Sequence, residues 1–137
     1  MLSLEMLGCF EKVRGWRRIV SPWNSRGDFL MFLTRPQDRA LAKRCASAFS
    51  QANMLRSEAA SVPQYAFGVD FSDHWSFWQV GMPAVLVTDG AEFRNWRYHE
   101  PEDTADTLDF GRMTRAVLGI EVVIASLATD FAVHPSP

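Results

Sequence analysis

Apolar positions fall into short runs whose spacing changes along the chain, and each change predicts a different element. Met1 to Leu7 is a short apolar run interrupted by Glu5. It reads as a strand with the carboxylate near its loop end, and Gly8 marks the exit. Asp28 to Thr34 (DFLMFLT) reads as a fully buried strand. Leu41, Cys45, Ala48 and Phe49 then share one face at helical spacing, and Pro36 suits a first turn, predicting a helix over about 36–53. Ser57 to Val69, with Pro63 and Gly68, reads as loop. Asp73 to Val80 reads as a short helix with Phe77 and Val80 facing one way, and Gly81 follows in the position glycine favours after a helix. Pro83 to Thr88 reads as a central strand that begins on a tolerated proline. Beyond Asp109, a good N-cap, Met113, Val117, Ile120, Ile124, Leu127 and Phe131 recur at steps of three and four, predicting a helix over 110–130.

The order strand, strand, helix, short helix, strand, helix is α/β. About three strands is fewer than open sheets usually hold, and an uncovered edge invites pairing with another chain. The sequence therefore reads as a piece of a larger sheet. Glu11 to Arg26 is irregular, with Trp16 and Trp23 suggesting a packed loop and Arg14 to Arg18 a solvated basic one. Asp89 to Asp106 is a polar loop of roughly 18 residues, longer than most, and such loops tend to be functional. The last residues, 133–137, read as a frayed tail.

Composition narrows the partners. The chain has 137 residues, 47% hydrophobic and 22% charged, enough for one domain with a core of its own. A formal net charge of −2 argues against a nucleic-acid footprint. Cys9 and Cys45 form no disulfide framework or zinc-knuckle spacing. No apolar run is long enough for a transmembrane helix, and the first residues lack the pattern of a signal peptide, so the compartment stays open.

Three places carry chemistry. His99 lies in a polar loop beside Glu100, Glu102 and Asp103. Neutral imidazole is a common metal ligand and needs a partner to fix its tautomer, although a lone loop histidine is more often simply solvated. Glu5 ends an apolar run, where a carboxylate either points to water or is paired or metal-bound. Ser72-Asp73-His74 opens the short helix, with Asp73 suited to N-capping.

Read together, Ser72-Asp73-His74-Trp75-Ser76-Phe77, the Gly81-Met82-Pro83-Ala84 strand start and Tyr98-His99-Glu100-Pro101-Glu102-Asp103-Thr104 resemble, in this order, the second half of the M28 zinc-dependent exopeptidases. Leu4-Glu5-Met6-Leu7-Gly8 resembles the family strand that carries an acidic zinc ligand. The resemblance implies the C-terminal part of a mixed, mostly parallel sheet flanked by helices, with residues 1–132 as the C-terminal portion of the peptidase domain. It implies Glu5 and His99 as ligands to each of two zinc ions, and Asp73 and His74 beside the substrate pocket. The turn at Ser72 to His74 would then hold the long loop in place. The implied reaction is hydrolysis of an N-terminal peptide bond, with two metals activating a water and a glutamate taking its proton.

The chain departs from the family pattern in what it lacks. The His-x-Asp motif and the Glu-Glu pair, which supply the general base and the remaining ligands, are absent. The expectation is a chain that is inactive by itself and takes its peptide substrate only together with a missing N-terminal half or another chain. The alternative is a non-catalytic remnant or interaction domain that keeps the peptidase fold. Carboxypeptidase and cyclase relatives share the architecture and stay open as parent activities.

Overall fold

The computed structural model describes residues 1–11, 27–66 and 68–133. The readings for Trp16, Trp23, the stretch Arg14 to Arg18 and the tail at 134–137 lie outside the described residues, as does the side chain of Phe131. Four strands form one sheet: β1 (Leu2–Glu5), β2 (Phe29–Thr34), β3 (Arg56–Ser61) and β4 (Val85–Thr88), in the order β1-β4-β2-β3. Helix α1 (Arg39–Gln51) joins β2 to β3, α2 (His74–Gln79) precedes β4, and α3 (Phe110–Val133) closes the chain.

β1 runs parallel to β4, with Leu2 opposite Val85 and Glu5 opposite Thr88. β2 and β3 are parallel from Phe29 opposite Arg56 to Thr34 opposite Ser61. The two pairs meet antiparallel, Met31 opposite Thr88 and Leu33 opposite Leu86. The sheet is thus mixed and mostly parallel, flanked by helices, as expected.

β2 is buried at every position because both faces of the sheet are covered. Side chains alternate between faces along a strand. Leu30 and Phe32 join Val85, Val87, α1 and α3 in one core, which includes Phe49, Ala116, Ile120 and Val123. Phe29, Met31 and Leu33 join Trp78, Ala84, Leu86 and Val69 in a second core on the opposite face. The α1–α3 contact is close because Gly119 has no side chain; a Cβ there would run into the Phe49 ring.

The structure corrects several sequence expectations. The start of the stretch Ser57 to Val69, read as loop, belongs to an edge strand, Arg56–Ser61, so the sheet has four strands among the described residues rather than three. Its composition, RSEAAS, carries no apolar alternation, and it exists because it pairs with β2 and lies under α1, where Ser57 donates to the Ala46 carbonyl at 2.9 Å. The first turn of the predicted 36–53 helix is a separate 3₁₀ turn, Pro36–Asp38, and strand β4 begins at Val85, not Pro83. α2 turns His74 and Trp78 inward and leaves Val80 71% exposed. On α3 the inward face is Ala116, Ile120 and Val123, while Val117 and Ile124, expected inside, are exposed. Small residues set that contact, shifting the buried stripe by one position. α3 also runs three residues past its expected end, to Val133.

Two helix termini behave as read. Asp109 Oδ1 accepts the Arg112 amide at 2.9 Å, an N-cap bond. Gly81, at φ +77°, ends α2, with the Gly81 amide on the Trp78 carbonyl and the Met82 amide on the Phe77 carbonyl. That pair of bonds is the Schellman arrangement. Among the described residues no helix is long and apolar enough to cross a membrane.

Candidate active site

Parallel strands end at the same side of a sheet. β1 and β4 therefore deliver Glu5 and Thr88 to one rim, and the loops that follow them begin side by side. The Asp89 amide donates to the Met6 carbonyl at 2.8 Å, extending the pairing past the strand ends. Glu5 is exposed, and its Oε2 accepts the Ser72 hydroxyl at 3.2 Å. Ser72 Oγ also lies 2.7 Å from Ser3 Oγ.

Beside Glu5 opens a cavity of about 230 Å³. Its floor is the sheet face at Met31, Leu33 and Leu86, and Ala66, Val69 and Phe71 close one side. Phe93 and Tyr98 come in from the long loop, and Glu5 and Ser72 are at its polar edge. The lining is mostly apolar with few polar groups, the usual make-up of a small-molecule or side-chain site.

The long loop is not featureless. It contains 3₁₀ turns at Ala91–Phe93 and Ala105–Thr107 and is anchored by three buried polar residues, Asp89, Arg94 and Asn95. Asp89 Oδ2 accepts the Cys9 amide at 2.7 Å, and its Oδ1 accepts the Ala91 amide at 3.0 Å. This one carboxylate ties the loop after β1 to the loop after β4. Burial pushes the Asp89 carboxyl up to about 7, against these hydrogen bonds and the nearby Arg94 charge. Arg94 donates to the Phe29 carbonyl at 2.9 Å and lies over the Phe29 ring at 4.0 Å, and burial pulls its guanidinium below the usual range. Asn95 donates to Asp103 Oδ1 at 2.9 Å and accepts the Arg97 amide.

His99 is exposed, with its ring 4.1 Å from that of Tyr98. Tyr98 lines the cavity that Glu5 also lines, so the two expected zinc ligands belong to segments that meet at one cavity. Their donor atoms, carboxylate oxygen and imidazole nitrogen, suit zinc. Among the described residues, however, no three His, Cys, Asp or Glu side chains are grouped to hold a metal. The site as described offers single ligands, not a closed shell.

Asp73 and His74 are not themselves in the cavity lining, although Ser72, before Asp73, and Val69, bonded to His74, are. Asp73 is exposed at the N-cap position of α2, and its side chain makes no cap bond. His74 is fully buried, with Nε2 2.7 Å from the Val69 carbonyl. Burial lowers its pKa, although the Val69 bond and the Asp73 and Glu5 charges favour the cation. Of the Ser72–His74 turn, Ser72 lines the cavity, and it reaches Glu5 rather than the long loop.

Three of the four left-handed non-glycine residues among those described, Asn53 being the fourth, belong to the segments around this cavity. Met6 (φ 54°), Ala91 (φ 46°) and His99 (φ 63°) hold left-handed conformations that non-glycine residues rarely adopt. Two of them line the cavity, and the third is the expected ligand next to Tyr98.

Residues 23–123 match the model of peptidase family M28. The chain belongs to that family. Asp73, His74, Asp89 and His99 lie within the matched span, and Glu5 precedes it, on a strand paired with β4 inside it. This M28 chain is 34% identical over 125 residues to the uncharacterized protein YfbL of Escherichia coli (strain K12), a match covering 88% of this chain and 39% of YfbL. It therefore spans about two fifths of the length of that relative. Its fold is shared by the LapA aminopeptidase of Legionella pneumophila, with a TM-score of 0.63 at 18% identity over 90% of this chain and 29% of LapA.

Proposed function

We propose that this M28 chain forms part of a zinc exopeptidase site that hydrolyses N-terminal peptide bonds, and that the apolar cavity takes the side chain of the substrate's first residue. One observation carries the reading: an exposed carboxylate, Glu5, lines an apolar cavity that is also lined by Tyr98, whose ring packs on that of His99. Glu5 and His99 would each hold one zinc ion, and zinc bound there supplies Lewis-acid activation of water. Other residues of this chain would position these two side chains and shape the cavity. Ser72 orients Glu5 through its hydroxyl. Met31, Leu33 and Leu86 give the entering side chain a dry floor. Asp89, Arg94 and Asn95 fix the loop that presents His99.

A cocatalytic site needs about three protein ligands per metal. This chain supplies one to each in this reading, so the general base and the other ligands come from a further segment or another chain. The grouping of fewer than three metal-binding side chains among the described residues favours a second reading, a non-catalytic domain that keeps the fold.

The test is an assay of the purified 137-residue chain, loaded with zinc, on leucine and glutamate p-nitroanilides, beside a longer form carrying the additional length that YfbL has. The expected result is turnover by the longer form only, favouring leucine and abolished by His99→Ala. Turnover by the short chain would show that its own ligands suffice. A longer form that is inactive with zinc bound would favour the non-catalytic reading.

A further inference from the structure

We infer that His74 is a positioning residue: its Nε2–H, donated to the Val69 carbonyl, holds residues 68–72 in place so that Val69 and Phe71 wall the cavity and Ser72 meets Glu5.

A carbonyl oxygen only accepts, so the 2.7 Å contact between His74 Nε2 and Val69 O places the proton on Nε2. The other nitrogen, Nδ1, is then a lone-pair acceptor. It is buried and has no partner among the described residues. An unsatisfied buried acceptor is destabilising, and an apolar ring of the same size would fill the space without that penalty. What the imidazole adds over such a ring is the single bond to Val69.

The ring is itself fixed to the sheet. It meets Trp78 edge-on, with centroids 4.6 Å apart and planes at 81°. Trp78 donates its indole N–H to the Ala84 carbonyl at 3.0 Å, at the threshold of β4, and its own carbonyl accepts from Arg35 Nη1 at 2.9 Å. Arg35 directly follows β2. A line of contacts thus runs from the ends of two strands through Trp78 and His74 to Val69.

Residues 68–72 form turns rather than helix or strand. Val69 and Ala66 are joined by one turn bond, and Ser72 reaches Glu5 and Ser3 at the other end. Ala66, Val69, Phe71 and Ser72 all line the cavity. A loop free to lift would open the apolar wall and carry the Ser72 hydroxyl away from Glu5 together. The consequence for substrate choice rests on the exopeptidase reading. The hold itself does not.

The test uses the 137-residue chain in solution with xenon as a probe of the cavity alone, and the longer form with L-leucinamide as a probe of the substrate reading. ¹⁵N NMR of the wild-type imidazole must show the Nε2–H form. A proton on Nδ1 overturns the inference whether or not any variant folds. His74→Phe keeps the buried ring and removes the donor. It is expected to weaken xenon binding, read from the Val69, Leu86 and Phe93 amides, by about tenfold and to speed hydrogen exchange at residues 68–72 by a similar factor. Exchange in β2 and β4 should stay at the wild-type rate, and His74→Gln, which keeps an N–H donor, should recover part of the loss. Unchanged xenon binding in folded His74→Phe overturns the inference, as does wild type that binds no xenon. Equal acceleration throughout β2 and β4 also overturns it, since that is the mark of a general packing role. Wild type that binds xenon, with the His74→Phe effects intact, beside a longer form that binds no leucinamide, supports the hold on Val69 and removes the substrate reading instead.

Discussion

Ser72 donates its hydroxyl to Oε2 of Glu5 at 3.2 Å, across 67 residues of sequence. The bond joins the last residue of β1 to the loop before α2, and the Ser3 hydroxyl at 2.7 Å completes a small polar chain on the rim. It gives an otherwise exposed carboxylate a preferred orientation.

Ser72→Ala removes that donor without adding bulk. We expect a loss of about 0.5–1 kcal/mol in stability, read as a shift of the urea midpoint at constant slope. In the longer form, zinc affinity should fall about tenfold, the usual effect of deleting a residue that orients a ligand. Competition with a chromophoric chelator measures it. Unchanged affinity would place Glu5 outside the metal site.

Asp89→Ala should be far more damaging. It strands the buried Cys9 amide and the half-buried Ala91 amide and leaves the buried Arg94 without its neighbouring charge. A loss of about 3 kcal/mol or more is expected, measured by urea unfolding. The pH dependence has a definite sign. The folded carboxyl titrates at about 7, above the ~4 of an unfolded aspartate. Its stabilising contribution is then fully present below about pH 4 and is lost as pH rises through 7. Wild type should therefore lose stability relative to Asp89→Asn between about pH 4 and 7. A pH-independent difference between the two would show that Asp89 is ionised throughout.

Arg35→Lys tests the end of α2. The guanidinium donates Nε to Asp38 at 2.6 Å, Nη1 to the Trp78 carbonyl, and Nη2 to the Gly81 and Met82 carbonyls at 3.3 and 3.4 Å. A lysine ammonium cannot reproduce this fork. The expected loss is about 1–3 kcal/mol, with a change in the near-ultraviolet circular dichroism of Trp78 that precedes global unfolding. A variant as stable as wild type would mean that water satisfies those carbonyls as well as Arg35 does.

How much of this was legible in the sequence follows from what each residue's environment is made of. β2 and β4 announce themselves because both faces are buried and every position is apolar or small. β3 does not, because an edge strand under a helix can be built from Arg, Ser, Glu and Ala once its backbone has a partner. The α3 periodicity gave the helix but the wrong stripe, since Ala116 and Gly119 mark the closest approach and score as weakly apolar. Glu5 and His99 stand out in the sequence only through their resemblance to family motifs. Asp89, Arg94 and Asn95 were missed for a physical reason. Nothing local distinguishes a buried, backbone-bonded polar side chain from a solvated one; the partners are Cys9, Phe29 and Asp103, and only the fold brings the first two near. The Asp89-Gly90-Ala91 turn straight after a strand was the one available signal.

The left-handed backbones at Met6, Ala91 and His99 bear on how such a chain would respond to selection. Each stores on the order of 1 kcal/mol that glycine would release. A library screened only for thermal resistance should enrich glycine at these three positions early, and the winners would have a slacker rim and no imidazole at 99. Laboratory evolution toward toughness and evolution toward catalysis would thus pull in opposite directions at the same three residues.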